Sequence, residues 1–398
     1  MPDAASSGKP GVKGRPGLAA LPPLSVYVHV PWCVHKCPYC DFNSHEYQGE
    51  LPEQAYLQAL QADLEQAVPD VWGRPVSTVF FGGGTPSLLS PEAIDQIISL
   101  LRATLSLSPD AEITLEANPG TAEAARFQGY AQAGVNRISL GIQSFDDDKL
   151  RRLGRIHDAA QARAAIGMAQ RAVERVNLDV MFALPQQTLA QCAQDLREAL
   201  AFETGHLSLY HLTLEPNTVF AKYPPPVPGD ELSAAMQDQV AELAAAAGFE
   251  RYEVSAYARA GQACLHNLNY WQFGDYLGIG PGAHSKLSFQ NRIIRQARAK
   301  MPEAWMRLVH EHAGRHIVEQ RELGHQDLGF EFMLNALRLR HGVEGGLFIE
   351  RTGLSLMTLL PAMRRAVDKG LLQPGLDRVQ ATEQGWRFLN DLQMEFLP

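Results

Sequence analysis

The sequence predicts an α/β protein with a parallel sheet, followed by a smaller, mainly α-helical C-terminal domain. From residue 25 onward, short β-branched or continuously apolar runs alternate with longer helical patterns, which is typical of strand–helix units around a parallel sheet. The chain has 398 residues, of which 45% are apolar, enough for one large or two moderate cores. From about residue 290 the sequence becomes richer in Arg, His and Glu, and its pattern becomes helical.

Six strands and the helices that follow them are predicted in order. Apolar residues recur at three- and four-residue spacing in the helical segments, while Ser90 and Gly134 mark a helix start and a helix end. The predicted strands are 25–30, 76–81, 112–117, 137–142, 176–182 and 207–214, with a last candidate at 251–257. The predicted helices are 53–67, 90–105, 121–134, 158–173, 188–203 and 231–247. Periodicity alone leaves two architectures open, a doubly wound sheet and a partial β/α barrel.

Composition predicts three segments of the chain. Residues 1–23 are rich in Pro, Gly and Ala, contain no apolar run of the kind that a signal peptide needs, and are predicted to be a disordered leader. Residues 24–290 are predicted to form the β/α unit. Residues 291–398 are predicted to form the helical domain, whose helix–turn–helix pattern resembles a winged helix but is shared by many small helical domains.

The charge balance and the cysteine count exclude several classes of protein. A formal net charge of −9 at pH 7 argues against bulk binding to nucleic acid or to an anionic membrane surface. No segment reaches the roughly 18 to 20 consecutive apolar residues of a membrane-spanning helix, so membrane insertion is not expected. Five cysteines in so long a chain do not make a disulfide framework, and a reducing, cytoplasmic location is expected.

Three of the five cysteines, Cys33, Cys37 and Cys40, lie within eight residues directly after the first predicted strand. A loop at the carboxyl end of a strand is where α/β folds place their sites. A zinc site would need a fourth ligand, which one of three nearby histidines could supply. Soft thiolates also select iron–sulfur clusters, and three ligands on a four-iron cluster leave one iron open. We favour the cluster and keep zinc as the alternative.

The spacing C-x3-C-x2-C, with Tyr39 before the last cysteine, resembles the cluster loop of radical S-adenosylmethionine (radical SAM) enzymes. The segment Phe81–Pro86 resembles the glycine-rich segment of that superfamily, where glycines let the backbone approach a ligand closely. The resemblance implies a [4Fe-4S] cluster on the three cysteines and S-adenosyl-L-methionine beside it. The residues that it assigns to this cofactor are Tyr27, Gly83, Gly84, Thr85, Glu116, Gln143, Arg155, Asp179 and His284.

The resemblance also implies roles for these residues. Glu116 and Gln143 would hydrogen-bond the ribose hydroxyls, and Arg155 would face the methionyl carboxylate with Asp179 nearby, while His284 lies in a segment that passes the adenine. Each residue alone also has an ordinary structural role, such as a strand-end cap or a surface ion pair. Together they fall in order at successive strand ends, which favours a partial (β/α)6 radical SAM barrel over the doubly wound sheet.

Further segments, CPYCDF, EANPG, SLGIQSFDD and GIGPGAHS, resemble one branch of this superfamily. That branch contains the oxygen-independent coproporphyrinogen III dehydrogenase and the HemW haem chaperones. The dehydrogenase carries a further cysteine two positions after the third, where this chain has Phe42. The dehydrogenase also has a longer N-terminal extension that contributes to its substrate site, whereas only about 24 residues precede the first predicted strand here. Both departures favour a chaperone over the dehydrogenase, and a radical enzyme with another substrate is the third alternative.

The segment His266–Trp271 matches the HNxxYW motif associated with haem binding in HemW proteins. The resemblance assigns haem contacts to His266, Asn267, Tyr270 and Trp271. An imidazole can ligate haem iron and aromatic rings can lie against a porphyrin, although a histidine near aromatic residues is more often a hydrogen-bonded structural one. Cys264 is an alternative soft ligand. The expectation is a chaperone that passes haem to a respiratory, membrane-bound haem protein, and a homodimer is a further expectation.

Overall fold

In the computed structural model, residues 17–47, 49–120, 124–311 and 313–398 are described, and twelve of their strands form one sheet. These strands are β1 (Leu24–Val30), β2 (Pro75–Gly83), β3 (Ser106–Ala117), β4 (Arg137–Gln143), β5 (Arg175–Phe182), β6 (His206–His211), β7 (Glu250–Arg251), β8 (Ala256–Ala258), β9 (Asp275–Ile279), β10 (His284–Phe289), β11 (Arg292–Arg298) and β12 (Ile317–Glu322). Their order across the sheet is β12-β11-β10-β9-β1-β2-β3-β4-β5-β6-β8-β7.

Strands β1 to β6 are parallel and pair in sequence order, as in a partial barrel of six strand–helix units. The helices between and after them are Glu53–Val71, Pro91–Thr104, Phe127–Ala133, Asp147–Arg152, Ala159–Ala172, Leu189–Ala201, Val219–Lys222 and Asp230–Ala246. Outward-facing strand residues such as Val26, Val28 and Leu178 are fully buried in one core with these helices. The predicted α/β fold class is therefore confirmed.

The barrel is open, and other strands cover its two edges. Strand β9 pairs in parallel with β1, and β8 pairs antiparallel with β6. Side chains alternate between the two faces of a strand. One face contributes to the apolar core, and many buried side chains on the other face are polar. They include Ser25, Thr78, Glu112, Thr114, Arg137, Asn177, His206 and Ser208. The barrel interior is therefore a polar space rather than a second apolar core.

The sheet continues beyond the predicted boundary at residue 290. Strands β10, β11 and β12 form an antiparallel extension, and the helix Pro302–Glu311 packs against the helix Glu53–Val71. Part of the Arg-rich composition that suggested a new domain therefore lies in strands. Arg295 pairs with Glu331, and Arg298 pairs with Asp63 in the barrel. The change to a helical domain lies near residue 323 rather than 291.

The C-terminal helices are His325–Ala336, Gly345–Thr352, Leu360–Asp368, Glu383–Arg387 and Leu389–Met394, with a small sheet of Val343–Glu344 and Arg378–Val379. They have a core of their own, which Leu18 and Phe273 join. Residues 1–16 of the predicted leader lie outside the described residues, whereas Leu18 is buried and its amide donates to the Gln290 carbonyl at 2.9 Å. Among the described helices, none has the length and apolar character needed to cross a bilayer.

Candidate cofactor and haem site

The three clustered cysteines lie in a loop at the carboxyl end of β1. The short strand Trp32–Cys33 pairs with His45–Glu46, which closes the base of this loop. All three thiols are free, with Cys33 buried and the other two half-buried. Together they line one cavity at the mouth of the barrel, which we call the cysteine cavity. The structure thus brings the three predicted ligands to one space.

Each of the three sulfur atoms has a polar neighbour in this cavity. The Thr85 hydroxyl donates to Cys33 Sγ at 3.5 Å, and Arg155 Nη1 donates to Cys37 Sγ at 3.5 Å. Cys40 Sγ lies 3.7 Å from Ser44 Oγ. Burial raises the pKa of the Cys33 thiol, and the Thr85 hydrogen bond lowers it. Hydrogen bonds to sulfur stabilise thiolates and tune iron–sulfur clusters, so the donor set fits such a cluster.

The structure does not by itself choose between a cluster and zinc. Within the described parts of the chain, no three His, Cys, Asp or Glu side chains come together as the ligands of a single metal ion. The preference for an iron–sulfur cluster over zinc therefore rests on the spacing of the three cysteines and stays a prediction.

The glycine-rich segment at the end of β2 packs directly against the cysteine strand. Gly83 has a φ of +115°, and a Cβ there would lie 2.6 Å from the His29 ring. A Cβ on Gly84 would lie 2.5 Å from the Trp32 carbonyl oxygen. The amide of Thr85 donates to that same carbonyl at 2.7 Å. The close packing of β2 against β1 and the cysteine loop therefore requires glycine at both positions.

Two carboxyl groups form the opposite wall of the cysteine cavity. Glu116 ends β3 and accepts a hydrogen bond from the Gly83 amide at 3.3 Å. Asp179 in β5 accepts from Ser139 Oγ at 3.1 Å and from Asn177 Nδ2 at 2.8 Å. Burial and, secondly, the charge of Asp179 raise the pKa of Glu116 to about 8. A cationic ligand with hydroxyl groups would offset this repulsion and use the free acceptors.

Arg155 connects the cysteine loop to the end of β3. Its Nη2 donates to Asn118 Oδ1 at 2.6 Å and to the Gly141 carbonyl at 2.9 Å. Asn118 Nδ2 in turn donates to Thr85 Oγ1 at 3.0 Å. The buried Arg155 Nε has no hydrogen-bond partner among the described residues. Sequence reasoning assigned no role to Asn118, although its position two residues after Glu116 at a strand end was the available signal.

Gln143 reaches the same cavity because of its backbone conformation. Its φ is +68°, which is uncommon for a residue other than glycine and changes the chain direction at the end of β4. The cysteine cavity is thus lined by seven of the nine predicted cofactor residues, namely Gly83, Gly84, Thr85, Glu116, Gln143, Arg155 and Asp179. Tyr27 does not line the cavity but lies next to the residues that do. Its hydroxyl is 3.1 Å from His29 Nδ1, and its ring packs against Gly82.

The structure does not place His284 in the cysteine cavity. His284 begins β10, is exposed, and lines a separate cavity beside the helix His325–Ala336. The glycine-rich segment that precedes His284 instead contacts the end of the cysteine loop. Asn43 Nδ2 donates to the Pro281 carbonyl at 3.0 Å, while the Asn43 carbonyl accepts from His29 Nε2 at 2.8 Å. This segment therefore positions the loop, and its histidine points elsewhere.

The HNxxYW motif forms the helix Leu265–Trp271, which lies against β1 and β2 inside the barrel. His266 is 1% exposed, and its ring packs on Phe80 with centroids 5.0 Å apart. Its Nδ1 lies 2.7 Å from Thr78 Oγ1, and its Nε2 lies 3.3 Å from the Tyr270 hydroxyl. Burial lowers the pKa of His266 to about 3. With both ring nitrogens engaged, His266 is a structural histidine here, and axial ligation of haem would require the helix to move.

The remaining motif residues differ in what they face. Asn267 lines a wide cavity inside the barrel. The Tyr270 ring packs on Tyr276 at 4.5 Å, and the Arg338 guanidinium lies 4.3 Å from the Trp271 ring centroid. The Trp271 ring therefore contacts the C-terminal part of the chain, whereas the Tyr270 ring contacts β9 of the sheet.

Cys264, the alternative ligand, is also enclosed. It is fully buried, its thiol donates to Glu112 Oε1 at 3.4 Å, and burial raises its pKa to about 11. A neutral, hydrogen-bonded thiol without access to a cavity does not suit a ligand of haem iron.

Two known protein families match parts of this chain. Residues 27–199 match the radical SAM superfamily, and residues 323–388 match the HemN C-terminal domain. The chain is 47% identical over 382 residues to the haem chaperone HemW of Escherichia coli (strain K12), covering 96% of this chain and 100% of that protein. It is 46% identical over 386 residues to HemW of Haemophilus influenzae, covering 96% and 99%. The chain belongs to the HemW family.

A solved structure shows the same fold outside the HemW family. Coproporphyrinogen III oxidase (HemN) from Escherichia coli superposes with a TM-score of 0.81 at 22% identity, covering 94% of this chain and 90% of that one. At this identity the likeness concerns the fold. The predicted radical SAM barrel and HemN-like C-terminal domain are thereby confirmed for this HemW family member.

The barrel of this HemW family member holds a second space, which we call the lateral cavity. It shares Tyr39, Cys40, Phe42, Glu116, Ser139, Gln143 and Asp179 with the cysteine cavity. From there it extends inward to Phe80 and Asn267, and outward to Met181, Tyr210 and His211. Its volume of about 420 Å³ lies in the range of small-molecule pockets. A ligand there would lie directly beside the cysteine loop.

Proposed function

We propose that this protein is a haem chaperone that binds haem and passes it to a respiratory haem protein. The observation that carries the proposal is the 47% identity, over 96% of this chain, to a haem chaperone of Escherichia coli. The sequence departure at Phe42 supports it, because the dehydrogenase resemblance implies a cysteine at that position. A cytoplasmic location and a membrane-bound recipient are parts of this proposal.

The proposal includes a [4Fe-4S] cluster on Cys33, Cys37 and Cys40 with S-adenosyl-L-methionine beside it. A bound cluster would supply redox chemistry and one iron without a cysteine ligand. Around it, the donors of Thr85 and Arg155 would stabilise the thiolates. The carboxyl groups of Glu116 and Asp179 line the cavity and would face a ligand that is cationic at sulfur and carries ribose hydroxyls. Arg155, which lines the same cavity, would face a ligand carboxylate.

The haem part of the proposal places the tetrapyrrole in the lateral cavity, in contact with the HNxxYW helix. Asn267 is the motif residue that lines this cavity. The rings of His266, Tyr270 and Trp271 hold the helix in place through contacts with Phe80, Tyr276 and Arg338. In this arrangement Asn267 would provide a polar contact to the haem, and His266 would hold the helix that carries Asn267 in position.

The test is a titration of haem into the anaerobically reconstituted protein, followed at the Soret band. Saturable binding is expected, and Asn267→Ala should weaken it about three- to tenfold, which corresponds to one lost hydrogen bond. Asn390→Ala, which changes an exposed residue of the C-terminal helix, is the matched control. Wild-type protein that binds no haem would overturn the proposal.

A second assay separates the chaperone from the dehydrogenase. The reduced protein is incubated with coproporphyrinogen III and S-adenosyl-L-methionine, and no protoporphyrinogen is expected. Formation of that product would assign the chain to porphyrin synthesis instead. Transfer of bound haem to an apo haem protein, measured as loss of the Soret band from the chaperone fraction, tests the second half of the proposal.

A further inference from the structure

The burial of His266 leaves the iron of a haem in the lateral cavity without an axial ligand from the HNxxYW motif. Its ring nitrogens are hydrogen-bonded to Thr78 and Tyr270, and the ring lies behind Phe80. Freeing the imidazole would break both hydrogen bonds and expose apolar surface. An axial ligand whose side chain already lines the cavity would avoid this cost.

Among the described residues that line the lateral cavity, His211 is the one histidine. It ends β6, is exposed, and packs edge-on against Phe182 with ring centroids 5.4 Å apart. A neutral imidazole that is exposed at the edge of a cavity can offer a ring nitrogen to a metal.

The wall nearest to the cysteine loop is aromatic and exposed. Phe42 is 61% exposed and lines both cavities, and Tyr210 is 41% exposed at the end of β6. Phe80 and Met181 add apolar surface to the same space. Large apolar side chains left in contact with water around a cavity are typical of a site for a flat apolar ligand. Phe42 would therefore contribute a ring contact to a ligand in the lateral cavity.

We propose that haem binds in the lateral cavity with its ring against Phe42 and Tyr210, and that His211 is the axial ligand of its iron. The proposal rests on the proposed haem-binding function and deepens it. His266 then acts as a positioning residue, which holds the helix that carries Asn267. Because Phe42 lies two residues after Cys40, the haem and the cluster would share one loop.

The experiment compares ferric haem complexes of the reconstituted wild type and the variants His211→Ala, Phe42→Ala and His266→Ala. His211→Ala should lose the absorption and electron paramagnetic resonance signature of an imidazole-ligated haem and bind roughly tenfold more weakly. Added imidazole should restore the ligand signature of His211→Ala, which a purely structural histidine would not show. Phe42→Ala should weaken binding and keep the imidazole signature.

Two matched controls change residues far from the cavity. His310→Ala removes an exposed imidazole from the helix Pro302–Glu311, and Phe388→Ala removes an exposed phenyl ring from the C-terminal domain. Both should match the wild type. A His211→Ala variant with wild-type affinity and signature, together with a His266→Ala variant that loses them, would overturn this inference and leave the proposed function standing. Absence of haem binding by the wild type would overturn both.

Discussion

The mouth and the interior of the barrel both carry cysteine and histidine side chains, but they present them differently. At the mouth, Cys37 and Cys40 are half-buried and line a cavity. In the interior, Cys264 and His266 are almost completely buried, and each has a hydrogen-bond partner. The same residue types are therefore candidate ligands at one end and structural groups at the other. Access and unused hydrogen-bonding capacity separate the two roles.

The difference follows from the kind of backbone that carries each set. The cysteines lie on a loop at the strand ends, where side chains need not pack between the sheet and a helix. His266 lies on a helix inside the barrel, where an unpaired polar atom would cost free energy. Thr78 and Tyr270 meet that requirement. A motif inside a barrel is thus held in place before any ligand arrives.

The largest expected effect compares one cysteine from each region. Cys37→Ala should lose essentially all of the iron and sulfide that the wild type takes up on anaerobic reconstitution, because it removes one of three ligands. Cys264→Ala should keep the wild-type content, because its thiol is enclosed beside Glu112. Iron and sulfide analysis measures both. Loss of iron from Cys264→Ala, or full retention by Cys37→Ala, would remove the distinction between mouth and interior.

The next effect concerns the packing of β2 against the cysteine loop. Gly84→Ala places a Cβ 2.5 Å from the Trp32 carbonyl, so the strand must shift, at a cost of about 1–3 kcal/mol in the free energy of unfolding. Binding of S-adenosyl-L-methionine should weaken with it. Gly346→Ala, in a helix with open space around it, should be neutral or slightly stabilising. Denaturant unfolding and ligand titration check this pair, and equal behaviour of the two variants would contradict it.

The interior helix can be tested without changing its motif. Thr78→Val should destabilise the protein by about 1–3 kcal/mol, because it leaves His266 Nδ1 buried without a partner. Thr78→Ser keeps the hydroxyl and should be milder. Ser77→Ala, on the exposed side of the same strand, should change stability by less than about 0.5 kcal/mol. Denaturant midpoints provide the measurement. If Thr78→Val leaves the free energy of unfolding unchanged, the hydrogen bond to Thr78 does not hold His266 in place.

The smallest effect is the pH dependence of stability at the mouth. Burial and the charge of Asp179 raise the folded-state pKa of Glu116 from 4.5 to about 8. The folded state then binds more protons than the unfolded state between these values, so stability falls as the pH rises through that window. Glu116→Gln should flatten the slope of unfolding free energy against pH by about 1 kcal/mol per unit between pH 6 and 7. An unchanged slope would show that the carboxyl is already ionised.

Much of the fold and of the cysteine cavity could be predicted from the sequence. The six parallel strands and most of their helices lie within a few residues of the predicted positions, with β3 longer and β6 shorter. The helix predicted at 121–134 begins at Phe127, and residues 121–123 lie outside the described residues. The boundary at 290 could not be placed, because the arginines of β11 are matched by distant carboxylates in Asp63 and Glu331. The positions of Asn118 and His284 relative to the cavity also depended on neighbours far along the chain.

The sequence by itself determined the alternation of strands and helices and the C-x3-C-x2-C spacing, since both are local patterns of residue types. Only the tertiary structure decided which chemically suitable side chains are free to bind. Thr78 and His266 are 188 residues apart, and Asn43 and Pro281 are 238 apart. Burial and hydrogen-bond satisfaction depend on such distant contacts. For that reason the histidine of the motif is enclosed, while His211, which belongs to no recognised motif, faces the cavity.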